Sequence, residues 1–126
     1  MTTSNAKIYP LEIKLHQSSN LLEIKFNNLT ECMLSSEFLR VHSPSAEVRG
    51  HGPGQETLQV QKENVAIENI EPIGQYAIKL IFSDGHNTGI YTWDYLYELA
   101  ATYDALWEEY LRKLSVAGIQ RTKTHA

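Results

Sequence analysis

Residues of alternating polarity mark several short β-strands in the first two thirds of the chain. In "LEIKLH" and "LEIKF" every second residue is apolar, and the polar turn signal "SSN" lies between the two segments. A period of two is typical of strands with one buried face, and two such runs around a short turn predict a β-hairpin. We expect its loop to contain three or four residues.

Further strands are predicted downstream. One short strand is expected at residues 31–34, and "TLQVQ" shows a brief alternation. Two more strands are predicted on either side of "EPIGQ", the second of them with Ile78, Leu80 and Phe82 on one face. Asp84-Gly85 is a hairpin signal, so we expect "GIYTW" to return as the next strand.

Two segments have the features of helices. A short helix is predicted near residues 36–41, with Ser35 or Ser36 as its N-cap. A long helix is predicted at about residues 93–114, with Thr92 as its N-cap and apolar residues at steps of three and four. We expect its residues Tyr103 and Trp107 to be buried against Ile78, Leu80 or Phe82.

These elements predict an α+β fold in a single domain, mainly antiparallel β-sheet with one short helix and one long helix closing the chain. We place the domain at residues 9–115, with flexible tails at residues 1–8 and 116–126. A chain of 126 residues suits one domain, and its 42% of hydrophobic residues is enough for a core.

Charge and targeting signals narrow the class of protein. The net charge of −4 argues against a general binder of nucleic acid or of membrane surfaces, which needs a basic face. Neither a signal sequence nor a long apolar run is present, so we expect a cytoplasmic protein. Cys32 is the only cysteine, which excludes an internal disulfide and favours a small buried side chain over a nucleophile.

Two glycine-containing loops could carry chemistry. The loop "LRVHSPSAEVRGHGPGQETL" has exposed turns that could bind an anion or simply cross the surface. In "SDGHNTG", Asp84 and His86 flank a glycine, which suits either turn formation or metal ligation. No serine nucleophile motif is present, and Glu108 and Glu109 lie on the predicted exposed side of the long helix, so we do not expect an enzyme.

Longer segments carry a family resemblance. "LEIKF", "LSSEFLRVHSPSAEVRGHG" and "IEPIGQYAIKLIFSDGHNTGIYTWDYLYEL" resemble the domain found at the N-terminus of gamma-butyrobetaine hydroxylase. The similarity covers about residues 9–100. Domains of this family also occur alone in bacteria and attached to some iron–sulfur carrier ATPases. The oxygenase activity of the hydroxylase belongs to a separate, larger domain, for which this chain has no room.

The resemblance also implies a metal position. In the hydroxylase, three cysteines in a C-x-C-x-x-C arrangement and the histidine of "DGH" hold zinc. The cysteine positions correspond here to Ser43, Ser45 and Val48, and only His86 matches. Serine and valine cannot replace thiolate ligands of zinc, so we expect the domain to fold without a structural metal.

Two functions remain open from the sequence. One is a non-catalytic binding or adaptor module for a protein partner, with a link to iron or iron–sulfur metabolism implied by the resemblance. The other is a metal-binding domain in which His86 and either or both of His42 and His51 hold zinc or iron. In both cases we expect the functional face to contain the same loop residues, namely His42, Ser43, Ser45, Arg49, His51, Asp84 and His86.

Overall fold

The structure is a computed structural model that describes residues 7–50 and 56–121. Its elements follow the chain as strands β1–β3, helices α1 and α2, strands β4–β6, and helices α3 and α4. Their bounds are β1 Pro10–His16, β2 Leu21–Phe26, β3 Glu31–Ser35, α1 Ser36–Val41, α2 Ala46–Arg49, β4 Ile67–Ile73, β5 Ala77–Phe82, β6 Ile90–Thr92, α3 Trp93–Ala101 and α4 Tyr103–Val116.

The strands form two antiparallel sheets of three strands, in the orders β1-β2-β3 and β4-β5-β6. In β2 the alternation seen in the sequence places Leu22, Ile24 and Phe26 inside, each fully buried. The β1–β2 loop has four residues, as expected for this hairpin. The predicted α+β fold with antiparallel sheets is therefore confirmed.

One core connects both sheets to helices α1 and α3. It contains buried side chains from β2 and β3, from β4, β5 and β6, and from the two helices. Removal of this much apolar surface from water supplies the main driving force for folding. A second, smaller cluster joins the end of α1 to α4 through Val41, Tyr110 and Leu114.

Both predicted N-caps form. The Ser35 hydroxyl accepts a hydrogen bond from the Phe38 amide at 3.0 Å, and the Thr92 hydroxyl accepts one from the Tyr95 amide at 3.1 Å. Each satisfies an amide that the first helical turn leaves without a partner. The short helix thus begins at Ser36, and α3 follows β6 without a loop.

The predicted long helix is interrupted. Helix α3 ends at Ala101 and α4 begins at Tyr103, with Thr102 at φ −117° and ψ 19° between them. The Thr102 hydroxyl donates to the Glu98 carbonyl at 2.7 Å. A hydroxyl that bonds back to the preceding turn favours a bend, which accounts for the break.

The predicted strand in "TLQVQ" does not form, because residues 57–60 have no paired strand. Leu58 and Val60 instead pack against the α1–α4 cluster, so their alternation reflects contact with a helix. The chain then turns at Gln61, which has a φ of 60°. A left-handed residue of this kind is incompatible with continuing an extended strand.

The expected burial of Tyr103 and Trp107 is also wrong in detail. Both side chains are half-buried, and their ring contacts include Phe38 and each other. Phe38 comes from α1, so the aromatic stripe of the last helix packs mainly beside α1. Both rings also lie against the main core cluster, which contains the expected neighbours Ile78, Leu80 and Phe82.

Residues 116–121, which we expected to begin a flexible tail, contact the body of the domain. Ile119 packs against the α1–α4 cluster, and Arg121 reaches the Glu37 carboxylate.

Within residues 7–50 and 56–121, no helix has the length and apolarity needed to cross a membrane.

Candidate functional site

Two connecting segments meet at one face of the domain. The first, residues 43–50, follows α1 and contains the short helix α2. The second, residues 83–89, connects β5 to β6. Short helix α1 and strand β5 both contribute to the core, so each segment starts from a fixed point. Loops supported in this way by a packed scaffold are common locations of binding sites.

A buried cluster of three polar side chains joins the two segments. The Ser43 Oγ lies 2.8 Å from His86 Nε2, and the Ser45 Oγ lies 3.4 Å from the same nitrogen. The two serine hydroxyls are 3.3 Å apart, and the Ser45 amide donates to the Ser43 Oγ. We call Ser43, Ser45 and His86 the serine–histidine cluster. All three residues are buried, with Ser43 1% exposed.

Gly89 allows the two segments to approach this closely. A Cβ atom at this position would lie 2.3 Å from the Ser43 Oγ and 3.3 Å from the Pro44 ring. Such a distance to oxygen is far below van der Waals contact, so any larger residue has to displace residues 43–44. The glycine of "NTG" therefore serves close packing rather than an unusual backbone angle.

Charged residues anchor the second segment, residues 83–89, beside the cluster. The Asp84 carboxylate accepts hydrogen bonds from Arg40 Nε at 2.9 Å and from Lys62 Nζ at 2.7 Å. Burial raises the pKa of Asp84, but the bonds from Lys62, the His86 amide and Arg40 outweigh that effect and lower it to about 2. Asp84 is therefore ionised at neutral pH and anchors the hairpin to α1.

A further contact lies at the rim. The Thr88 hydroxyl donates to the Glu47 carboxylate at 2.5 Å, connecting α2 to the hairpin. Both residues are exposed, as are Ala46, Arg49 and Asn87. The face thus consists of a buried polar cluster with an exposed polar rim.

The surroundings of His86 favour the neutral form of its imidazole. Burial lowers the pKa of this imidazole, and the nearby Arg40 charge lowers it further, while Glu47 and Asp84 oppose both effects. A neutral ring can exchange hydrogen bonds with the serine hydroxyls without placing a charge in the interior. The cluster therefore joins the segments through uncharged groups.

The short Ser43–His86 distance resembles a nucleophile and its base, but other features of catalysis are missing from the described residues. Ser43 is only 1% exposed, so its hydroxyl is enclosed by the described residues. The hydrogen bond from the His86 amide to Asp84 orients the backbone, not the ring. Catalytic pairs need an accessible nucleophile and usually a third group that orients the base.

The other expected site residues lie in different environments. His42 directs its Nδ1 to the Phe38 carbonyl at 2.9 Å, and its ring lies against Phe38 and Tyr110. Burial lowers the pKa of His42. Arg49 stacks over the Tyr95 ring at 5.0 Å, and the Tyr95 hydroxyl donates to the His42 carbonyl. His51 lies outside the described residues.

The residues at the family's zinc position do not fit the metal. Ser43 and Ser45 are beside His86, as the resemblance implies, and Val48 is buried one helical turn further on. Hydroxyl and alkyl groups are not ligands for tetrahedral zinc. In the part of the chain that the structure describes, no three histidine, cysteine or carboxylate residues are grouped to hold a metal ion.

Cys32 is equally unsuited to chemistry. It is half-buried in β3, and burial raises the pKa of its thiol to about 11. The thiolate that would act as nucleophile or ligand is therefore scarce at neutral pH.

Several residues of this face were not foreseen from the sequence: Arg40, Glu47, Lys62, Thr88 and Gly89. Their partners are far away in the chain; Arg40 and Asp84, for example, are 44 positions apart. No local spacing rule predicts such pairs. The one available signal was the glycine in "NTG", which indicates a close approach without naming what approaches.

Several solved structures are similar to this chain in fold and in sequence. One solution NMR structure is 50% identical, covers 93% of this chain and 92% of its own, and has a TM-score of 0.78. A second NMR structure is 44% identical over 100% of this chain and 99% of its own, also with a TM-score of 0.78.

A crystal structure from Acidithiobacillus ferrooxidans, described as a protein of unknown function in the DUF971 family, is 39% identical. It covers 73% of this chain and 92% of its own, with a TM-score of 0.59. The chain matches none of the curated proteins with which it was compared. The family described as gamma-butyrobetaine hydroxylase-like, N-terminal, matches residues 13–97, two thirds of the sequence, and the chain belongs to this family.

Proposed function

We propose that this chain is a small, non-catalytic adaptor module of the cytoplasm that binds a protein partner through the face formed by residues 43–50 and 83–89. The observation that carries the proposal is the serine–histidine cluster. Its buried hydrogen bonds join the two segments in the interior, and the rim residues at the surface stay polar and exposed.

A fixed polar rim suits recognition of a protein. Because the segments are held by buried hydrogen bonds, little conformational freedom is lost when a partner binds, and this lowers the entropic cost of association. Arg49 is supported by the Tyr95 ring, and Glu47 is held by Thr88. The rim thus presents opposite charges in fixed positions, which gives specificity and orientation more than affinity.

The resemblance indicates which partners to try first. Related domains attached to iron–sulfur carrier ATPases suggest a partner from iron or iron–sulfur metabolism, in line with our expectation from the sequence. We therefore include a partner of this class in the proposal.

Charge changes at the rim test this function. Arg49→Glu reverses a rim charge, and Thr88→Lys adds a charge in place of the hydroxyl that holds Glu47. Lys14→Glu on β1 reverses an exposed charge away from both segments and serves as the control. Each form of the domain is immobilised and used to capture proteins from a cell extract. A protein that binds the wild type and the control, but not the rim variants, is then purified, and its binding to each form is measured by calorimetry. Loss of binding in the rim variants alone supports the proposal; equal binding in all variants contradicts it.

Elemental analysis separates the adaptor from the metal-binding alternative. In that alternative, His86 binds zinc or iron together with His42 or His51. Protein purified without a histidine tag would then contain about one metal ion per chain, and His86→Ala would remove it. A metal content well below one per chain, unchanged by His86→Ala, supports the adaptor.

A further inference from the structure

A buried carboxylate in α1 is paired with a residue that follows α4. Glu37 is 5% exposed, and its two oxygens accept hydrogen bonds from Arg121 Nε at 2.8 Å and Nη2 at 2.5 Å. The residues are 84 positions apart. Two parallel bonds between a guanidinium and a carboxylate form a geometry that lysine cannot reproduce.

An aromatic surface completes the environment of Arg121. Its guanidinium carbon lies 5.2 Å from the centre of the Trp107 ring, and Trp107 in turn stacks with Tyr103. A cation over an indole face is attracted by the π-electrons of the ring. Glu37 therefore accepts hydrogen bonds from the N–H groups of the guanidinium, and Trp107 contacts the flat face of the same group.

The acidic character of this place extends beyond Glu37. The pKa of Arg121 is raised, chiefly by the hydrogen bonds to Glu37, and the charges of Glu37 and Glu63 add to the effect. Both carboxylate residues are buried. An ionised carboxylate in the interior is costly unless a cation accompanies it, so the site requires a cationic occupant.

The segment that carries Arg121 is short and follows α4 directly. We call residues 118–121 the strap. It leaves α4 at Gly118, which has a φ of 74°, and Ile119 inserts into the α1–α4 cluster. An open groove of about 400 Å³ runs between the strap and the end of α4, and Gln120 is exposed. The amides of Gly118 and Ile119 bond back to the last turn of α4, and Ile119 and Arg121 attach the strap through their side chains.

We propose that Glu37 and Trp107 form a binding site for an arginine side chain, which the chain fills with its own Arg121 and which an arginine in an extended segment of a protein partner can occupy when the strap is displaced. The strap then acts as a built-in competitor. These contacts are separate from the serine–histidine cluster, so the inference does not depend on the proposed function of that face.

Competition by peptides tests the site. We would label the peptide Ac-GIQRT-NH2 with fluorescein and measure its binding to Arg121→Ala protein by fluorescence polarisation. The matched peptide Ac-GIQKT-NH2 carries lysine instead. We expect the arginine peptide to bind roughly tenfold more tightly than the lysine peptide, the effect of losing one charge-assisted bond of a pair. Binding to the wild type should be weaker, because Arg121 competes.

Two control variants make the result specific. Arg112→Ala removes an exposed arginine of α4 that pairs with Glu109 and should bind the peptide as weakly as the wild type does. Glu37→Gln combined with Arg121→Ala removes the carboxylate and should abolish the preference for arginine.

Equal binding of the two peptides to folded Arg121→Ala, or no binding, would overturn the proposal. If Arg121→Ala does not fold, the wild type is titrated with the arginine peptide while the indole N–H signal of Trp107 is followed by NMR. Displacement of the strap should shift that signal more with the arginine peptide than with the lysine peptide. An unchanged signal, or equal shifts, would overturn the proposal in that case.

Discussion

Two polar connections in this domain join segments that are far apart in the chain, and they do so with opposite chemistry. The serine–histidine cluster uses neutral groups, in which a buried imidazole meets two hydroxyls. The Glu37–Arg121 connection is instead an ion pair, in which the Glu37 carboxylate is buried about as deeply as the serine–histidine cluster and Arg121 is partly exposed. A hydrogen bond between neutral groups contributes modestly to the free energy of unfolding. When one partner is removed, the cost is mainly the desolvation of the group that is left unpaired. A buried ion pair responds far more strongly, because loss of the cation leaves a charge in the interior.

From this difference we expect the neutral connection to be permanent and the charged connection to be exchangeable. A neutral cluster that excludes water has no strong attraction for an external ligand. A buried carboxylate accepts any cation of suitable shape, so its native occupant can be replaced. Variants at the two places should therefore differ in size of effect, in salt dependence and in rescue by added ligands.

The largest effect should come from rebuilding the family's metal ligands. The triple variant Ser43→Cys, Ser45→Cys and Val48→Cys places three thiols near His86. We expect it to bind one zinc ion and to lose stability strongly when a chelator is added, because structural zinc contributes on the order of 10 kcal/mol in small domains. Differential scanning calorimetry with and without zinc measures this. A variant that stays metal-free would show that these positions do not converge on His86.

Removal of the cation from the charged connection should come next. Arg121→Ala should lower the free energy of unfolding by about 3 kcal/mol, the low end for a broken buried pair because Arg121 is partly exposed. Arg112→Ala at the exposed pair with Glu109 should cost at most about 0.5 kcal/mol. Urea unfolding gives both values; equal losses would mean that the Glu37 pair is no more than a surface contact.

A smaller but sharper effect is expected at Gly89. Gly89→Ala places a Cβ against the Ser43 oxygen and should cost about 2 kcal/mol through overpacking. Combined with Ser43→Gly, which removes that oxygen, the added alanine should cost much less. This double-mutant cycle, measured by urea unfolding, isolates the contact. Additive losses would place the strain elsewhere.

The elements of the fold could largely be predicted, because they depend on local patterns. A period of two located β1, β2 and β5, and the caps Ser35 and Thr92 fixed the starts of two helices. The break at Thr102 was missed because the apolar stripe continues across it. The supposed strand "TLQVQ" failed because alternation cannot tell a paired strand from an extended segment that packs on a helix.

The site was predictable only where a resemblance supplied spatial information. The neighbourhood of Ser43, Ser45 and His86 followed from the family's metal position, since nothing in their spacing brings residues 43 and 86 together. The partners Asp84–Arg40 and Glu37–Arg121 are separated by 44 and 84 positions. Pairs of this kind are set by the packing of the whole chain.

Acid should weaken the hairpin anchor to a modest extent. The pKa of Asp84 is about 2 in the folded domain and near its usual value of about 3.9 in the unfolded chain. The unfolded state therefore binds more protons at low pH, so the stability contributed by Asp84 is present above about pH 4 and is lost as the pH falls towards 2. Asp84→Asn should flatten the dependence of unfolding free energy on pH in this window. An unchanged slope would mean that its ion pairs are not formed in solution.

We expect hydrogen bonds of the serine–histidine cluster, and not a metal, to hold residues 43–50 and 83–89 together. The most direct measurement is the melting temperature of protein purified without a histidine tag, recorded before and after treatment with a strong chelator and again after zinc is added. We expect the same melting temperature in all three samples, because Ser43, Ser45 and His86 form hydrogen bonds with one another. A large drop with the chelator that zinc restores would contradict it.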